Sequence, residues 1–118
     1  QLAEKAASLF EKASAKHAVV IGEAPGKITD ISKRIAQKAD YAIILCRDDH
    51  RGEMANWQGF FDQLGVPVIC VAVSKLTGTG SIEPGEVIRA TLTGLNRTPK
   101  TDETIVNLAM LIKEKLSL

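Results

Sequence analysis

Four residues between an apolar run and a helix-like pattern have the types needed to hold a phosphate group. They lie in the stretch VVIGEAPGKITD, residues 19–30. Gly22 and Gly26 let a backbone approach a ligand closely, and N–H groups at the start of a helix receive anions well. Lys27 adds a full positive charge and Thr29 a hydroxyl group. The stretch predicts a phosphate cradle, and the alternative is the plain turn that any strand-to-helix connection needs.

The spacing of this stretch differs from that of the phosphate-binding loop of nucleotide hydrolases, G-x-x-x-x-G-K-[ST]. Gly22 and Gly26 are one residue too close together, and Ile28 separates Lys27 from Thr29. We therefore expect no hydrolase of that type. Any phosphate should be held by the backbone and the helix N-terminus, with Lys27 as an additional cation.

The densest polar cluster of the chain is CRDDHRGE, residues 46–53. Asp48, Asp49 and His50 could hold a hard metal ion or transfer protons, since histidine titrates near neutral pH. Zinc sites usually have three or four protein ligands, and no paired histidine or Cys-x-x-Cys is present, so the sequence predicts no zinc site. The alternative is that Asp48 or Asp49 caps the following helix and that Arg47 and Arg51 are simply solvated.

The segment SKLTGTGSIEPGE, residues 74–86, is rich in glycine, serine and threonine. It predicts a loop longer than the ~2–6 residues that usually connect elements of an α/β fold, and long loops often carry function. Ser74 and Lys75 supply a hydroxyl group and a positive charge, and the glycines would let the loop close over a ligand. The alternative is a surface loop that binds no ligand.

Apolar strands alternate with amphipathic helices along the chain and must position these segments. The apolar runs are HAVVIG, YAIILC, VPVICVAV and VIRATLTGL. This order predicts an α/β fold, a three-layer α/β/α sandwich with a mainly parallel four-stranded sheet that is Rossmann- or flavodoxin-like. The run YAIILC predicts a strand covered on both faces. The direction of VIRATLTGL stays open, because no helix separates it from the strand before.

Ligands in open parallel sheets bind beyond the carboxyl ends of the strands. If the first three strands are parallel, the loops at 22–29, 47–52 and 74–83 must all project from that edge. We therefore predict one binding site there, and the residues that we expect to form it are Gly22, Gly26, Lys27, Thr29, Arg47, Ser74 and Lys75.

The size and charge of the chain narrow the class of partner. Its 118 residues predict one domain over 1–118, and the start at Gln1 leaves open a cut from a longer chain. The formal net charge of +1 argues against nucleic acid as a partner, and no apolar stretch reaches the ~18–20 residues that cross a membrane. Cys46 and Cys70 stand inside apolar runs, which predicts free thiols and a cytoplasmic protein.

Three functions stay open from the sequence. The first is a small ligand-binding or regulatory domain that holds a phosphate-bearing small molecule or nucleotide, with no cofactor identified. The second is a metal-dependent enzyme that acts on a phosphate ester through Asp48, Asp49 and His50. The third is a structural or interaction domain of a homo-oligomer or larger assembly, without a ligand. The sequence does not decide whether the protein is an enzyme.

Overall fold

The fold is described from a computed structural model of the chain, over residues 2–16, 27–95 and 103–117. The predicted strand HAVVIG and the predicted site residues Gly22 and Gly26 lie outside these ranges. The described helices are α1 (Leu2–Lys16), α2 (Asp30–Ala36), α3 (Gly52–Leu64) and α4 (Glu103–Lys115). The described strands are β1 (Ala42–Arg47), β2 (Val68–Lys75), β3 (Ser81–Glu83) and β4 (Ile88–Thr93), and one turn of 3₁₀ helix spans Asp48–His50.

The four described strands form one sheet in the order β1-β2-β4-β3. β1 pairs with β2 and β2 pairs with β4 in parallel, whereas β3 pairs with β4 in the antiparallel sense. The prediction of a mixed α/β fold with a mainly parallel sheet is therefore confirmed.

β2 is the buried centre of the described sheet. Its residues from Val68 to Val73 are all buried, as expected of a strand that is covered on both faces. Helix α3 packs on one face, where Val71 lies in a cluster with Ala42 of β1. Helix α4 packs on the other face, where its Leu108 lies in a cluster with Ala72 and three residues of β4. Two apolar clusters thus hold the helices against the sheet.

In the part of the chain that the structure describes, β1 is covered on one face only, so our prediction for YAIILC is wrong. Ala42 and Ile44 are buried on the α3 side, whereas Ile43 and Leu45 are 52% and 56% exposed. Because side chains alternate along a strand, these two residues lie on the α4 side of the sheet. Helix α4 packs over β2, β3 and β4 and leaves this part of β1 open.

The segment rich in glycine contains a strand, so our prediction of one continuous loop over 74–86 is also wrong. Ser74 and Lys75 complete β2, and Ser81–Glu83 form β3, which leaves two short connections. The alternation of polar and apolar residues in β3 explains the pairing. Ile82 packs against the cluster under α4, and its two neighbours stay exposed.

β4 runs parallel to β2, which settles the direction that the sequence left open. The pairing extends from Cys70 opposite Ile88 to Lys75 opposite Thr93. The connection from β2 to β4 contains the strand β3 in place of a helix. Because β3 runs antiparallel to β4, it brings the chain back to the edge of the sheet where β4 begins. Along β4, alternate residues are buried under α4, and Arg89 and Thr91 lie on the α3 side.

Gly65 ends α3, as the sequence predicts. Its φ of 70° is left-handed, and the N–H groups of Gly65 and Val66 donate to the carbonyl oxygens of Asp62 and Phe61. Glycine adopts this conformation without the steric cost that a Cβ would bring. The cap turns the chain into β2 and so fixes where the central strand begins.

α1 and α2 pack against each other in a parallel arrangement. Exposed ion pairs join Glu4 to Arg34 at 4.0 Å and Glu11 to Lys38 at 3.2 Å. Ala7 of α1 and Ala36 of α2 are buried, which allows the two helices to approach closely. None of the helices in the described ranges is long and apolar enough to cross a membrane.

Candidate functional site

Three parallel strands end at one edge of the sheet, the carboxyl ends of β1, β2 and β4. In the sheet register Arg47 lies opposite Ser74, and Lys75 lies opposite Thr93. Because neighbouring strands are about 4.8 Å apart, these residues form two adjacent cross-strand pairs. The structure thus brings three of the predicted site residues, Arg47, Ser74 and Lys75, to the edge where open parallel sheets bind ligands.

Lys75 differs from the other lysines and arginines whose side chains the structure describes. Lys75 is partly buried, and all of the others are exposed. Its ammonium group has no hydrogen bond or ion pair with any described residue, whereas Arg47 and Arg51 each have a carboxylate partner. Lys75 is therefore available to an anion at the end of the central strand.

The charges of the segment after β1 neutralise one another. Arg47 Nη2 donates to Asp49 Oδ2 at 2.8 Å, and Arg51 Nε donates to Asp48 Oδ1 at 2.6 Å. His50 Nε2 lies 3.9 Å from Asp49 Oδ2. All five side chains are exposed, so each pair contributes about 0–1 kcal/mol to stability.

These ion pairs concern both expectations for Asp48 and Asp49, a metal-binding or proton-transferring role and a cap on the following helix. Neither carboxylate caps α3, which begins after Arg51 without a side-chain cap, so the capping part of that alternative is wrong. Within the described ranges, no group of three or more His, Cys, Asp or Glu side chains could hold a metal ion. The carboxylates of the segment are engaged with arginines instead.

Thr29 has a structural role at the start of α2. Its hydroxyl oxygen accepts from the backbone N–H of Ser32 at 3.4 Å, and the Ser32 hydroxyl accepts from the Thr29 N–H at 3.3 Å. The Ser32 hydroxyl also donates to the carbonyl oxygen of Lys27 at 2.7 Å. These bonds form a capping box that satisfies helix N–H groups. Among the described contacts, no hydrogen bond or ion pair joins Lys27 or Thr29 to the Arg47–Ser74–Lys75 edge.

A cavity of about 230 Å³ opens on the α3 side of the sheet, beside the start of α3. Apolar side chains and polar side chains both line it, and sequence reasoning missed the polar ones. The lining residues are Arg51, Met54, Val71, Val73, Ser81, Glu83, Arg89, Ala90 and Thr91. The signal was present in VIRATLT, whose alternation puts Arg89 and Thr91 on one face of a strand. This alternation did not identify a site from the sequence alone, because the direction of the strand was not known.

A second depression, of about 240 Å³, lies on the surface of α2 and is a poor candidate. Three polar residues of α2 and the residue that follows the helix line it, Asp30, Lys33, Arg34 and Gln37, and all four are exposed. It has no apolar floor, and Arg34 pairs with Glu4 of α1. Binding sites for small molecules combine apolar walls with a few polar groups, which this surface does not provide.

The two cysteines are free thiols with reduced acidity. Burial raises the pKa of the Cys70 thiol above its ordinary value. Burial, and to a smaller extent the negative charge of Glu53, raise the pKa of the Cys46 thiol. Because the thiolate is the nucleophilic form, a raised pKa keeps both thiols protonated at neutral pH. They behave as small apolar residues of the core.

The comparisons with known proteins give no match to this chain. No protein-family model, no curated protein and no solved structure is significantly similar to it.

Proposed function

We propose that this chain is a small ligand-binding or regulatory α/β domain that holds a phosphate-bearing small molecule at the carboxyl ends of its parallel strands. The Rossmann- or flavodoxin-like three-layer arrangement is part of the same proposal, and the parallel order β1-β2-β4 supports it. The observation that carries the proposal is Lys75, partly buried and without an anionic partner among the described residues.

The neighbours of Lys75 supply further groups that suit a phosphate. Thr93 carries a hydroxyl group opposite Lys75 in the sheet register and on the same face of the sheet, whereas Ser74 and Arg47 lie at the same edge on the other face. The Arg47 guanidinium is exposed in its bond to Asp49, so it can exchange this weak surface partner for a phosphate oxygen. Cationic and hydroxyl donors together bind phosphate oxygens through charge-assisted hydrogen bonds.

An interaction domain is the second candidate, and the uncovered face of β1 favours it. Ile43 and Leu45 are more than half exposed on a strand whose other face is buried. Exposed apolar patches often mark contact surfaces between proteins. No described observation favours the metal-dependent phosphate-ester enzyme, because Asp48 and Asp49 are bound to arginines.

An NMR titration of ¹⁵N-labelled protein with pyrophosphate tests the proposed function. We expect saturable shifts of the amide signals of Arg47, Ser74 and Thr93 at millimolar ligand or below. The signals of α1 and of the first half of α4 should stay unchanged, which makes them the internal control. The proposal fails if no saturable shift appears, or if the shifts follow the exposed lysines across the whole surface.

A further inference from the structure

We propose that the cavity beside the start of α3 binds the sugar part of a phosphorylated pentose whose phosphate group lies at Lys75. This inference rests on the proposed function, since it takes the phosphate at Lys75 as its starting point. It adds the class of ligand. The pentose phosphate could be a free sugar phosphate or part of a mononucleotide, and the two share the same chemistry in the cavity.

Lys75 and the cavity lie on the same face of the sheet. Val71 and Val73 line the cavity, and Lys75 follows them at the same spacing along β2. Because alternate residues of a strand share one face at about 3.3 Å per residue, the Cα atom of Lys75 is about 7 Å beyond that of Val73. On β4, Thr91 of the cavity and Thr93 opposite Lys75 repeat this relation. The cavity and Lys75 therefore lie on the same face of the sheet, with Val73 and Thr91 as the cavity residues nearest to Lys75 along the two strands.

The polar residues of the cavity suit the hydroxyl groups of a sugar. Glu83 and Arg89 lie opposite each other on β3 and β4, yet no ion pair within 4.0 Å joins them among the described contacts. A carboxylate accepts hydrogen bonds and a guanidinium donates them, so the two can bind adjacent hydroxyl groups from both sides. The hydroxyl groups of Ser81 and Thr91 lie on the same face and add two adaptable partners.

The apolar residues of the cavity point to a sugar ring rather than a nucleobase. Met54, Val71 and Val73 offer aliphatic surface to the C–H face of a sugar. None of the described residues that line the cavity is aromatic, so a base would find no ring to stack on.

Calorimetric titrations with three ligands, inorganic phosphate, ribose 5-phosphate and adenosine 5′-monophosphate, test the inference. We expect ribose 5-phosphate to bind the wild-type protein about tenfold more tightly than inorganic phosphate, because of the added hydrogen bonds in the cavity. Equal affinity for ribose 5-phosphate and the mononucleotide indicates that the sugar phosphate is the recognised unit. A higher affinity for the mononucleotide indicates that the natural ligand is a nucleotide. Either result supports the sugar position if the two cavity substitutions described below reduce the preference for ribose 5-phosphate over phosphate.

Two substitutions in the cavity locate the sugar. Glu83→Gln and Thr91→Val should each reduce the preference for ribose 5-phosphate over phosphate by about three- to tenfold, and leave phosphate binding itself unchanged. Glu86→Gln is the matched control, because Glu86 is exposed and does not line the cavity. Circular dichroism melting curves show that each variant is folded, and either variant alone is sufficient for the test.

The possible outcomes separate this inference from the proposed function. If phosphate binds and the wild-type protein shows no preference for the sugar phosphate, the sugar position is wrong and the phosphate site stands. The same holds if both cavity variants keep the full preference. If neither inorganic phosphate nor ribose 5-phosphate binds, the phosphate site and the sugar position are both wrong.

Discussion

Replacement of Lys75 by methionine is expected to weaken the binding of pyrophosphate at least tenfold, as measured by calorimetric titration. Methionine keeps the unbranched aliphatic stem of lysine and removes only the charged group. Lys75 is partly buried at the end of the central strand and has no anionic partner among the described residues, so its charge should be directed to the ligand. A loss of one charge-assisted contact of ~1.5–3 kcal/mol corresponds to at least tenfold in affinity.

The stability of this variant distinguishes a binding role from a structural one. Because the Lys75 side chain is partly buried and makes no hydrogen bond or ion pair with a described residue, Lys75→Met should melt at the same or a higher temperature without ligand. Lys113→Met is the control, since Lys113 is an exposed lysine of α4 and its loss should change neither affinity nor stability. A Lys75→Met protein that binds pyrophosphate normally and melts earlier would show that Lys75 supports the fold and not a ligand.

Leu108→Ala is expected to lower the free energy of unfolding by about 2–5 kcal/mol, as measured by urea denaturation. Leu108 is 7% exposed and is the buried residue of α4 in the cluster with Cys70, Ala72 and Leu92. Removal of its side chain leaves a cavity between α4 and the sheet. For a domain whose whole stability is of the order of 5–15 kcal/mol, such a loss is large.

Met110→Ala on the same helix is the matched control for Leu108→Ala. Met110 is 64% exposed, so its truncation should change the free energy of unfolding by no more than about 0.5 kcal/mol. If both variants lose little stability, α4 is not packed against β2 and β4 as described. Equal large losses would instead show that Met110 is covered in solution.

Most of the order of the described elements could be predicted from the sequence because it depends on local patterns, and β3 is the exception. The unbroken apolar run from Val68 to Val73 identifies a strand buried on both faces, and Gly65 marks the end of the helix before it. The similar run in β1 was misleading. Whether Ile43 and Leu45 are covered depends on where α4 packs, and α4 lies more than fifty residues further along the chain.

The candidate site could be predicted in part for the same reason. Arg47, Ser74 and Lys75 are the last residues of β1 and β2, and the geometry of a parallel sheet is enough to bring them to one edge. Thr29 has the same residue type and local context as a ligand-binding hydroxyl, but it forms a capping box with Ser32. Its hydrogen-bond partners could not be assigned from residue type alone.

The cavity depends on long-range strand pairing and could not be found without it. Glu83 and Arg89 become neighbours only through the short antiparallel pairing of β3 with β4. β3 has three residues within a segment rich in glycine, where composition predicts a loop. The alternation of polar and apolar residues in β4 was visible in the sequence. That its polar residues lie on the α3 side of the sheet follows only from the parallel pairing of β4 with β2.

The central claim is that an anion binds at the end of β2, and a crystal soaked with tungstate tests it most directly. Tungstate has the tetrahedral shape and charge of phosphate, and tungsten can be located by its anomalous scattering. We expect the strongest anomalous peak within hydrogen-bond reach of the Lys75 ammonium group, with Thr93 as a second contact, and no such peak in a Lys75→Met crystal. A strongest peak at another cation of the surface, or an unchanged peak in the variant, would contradict the claim.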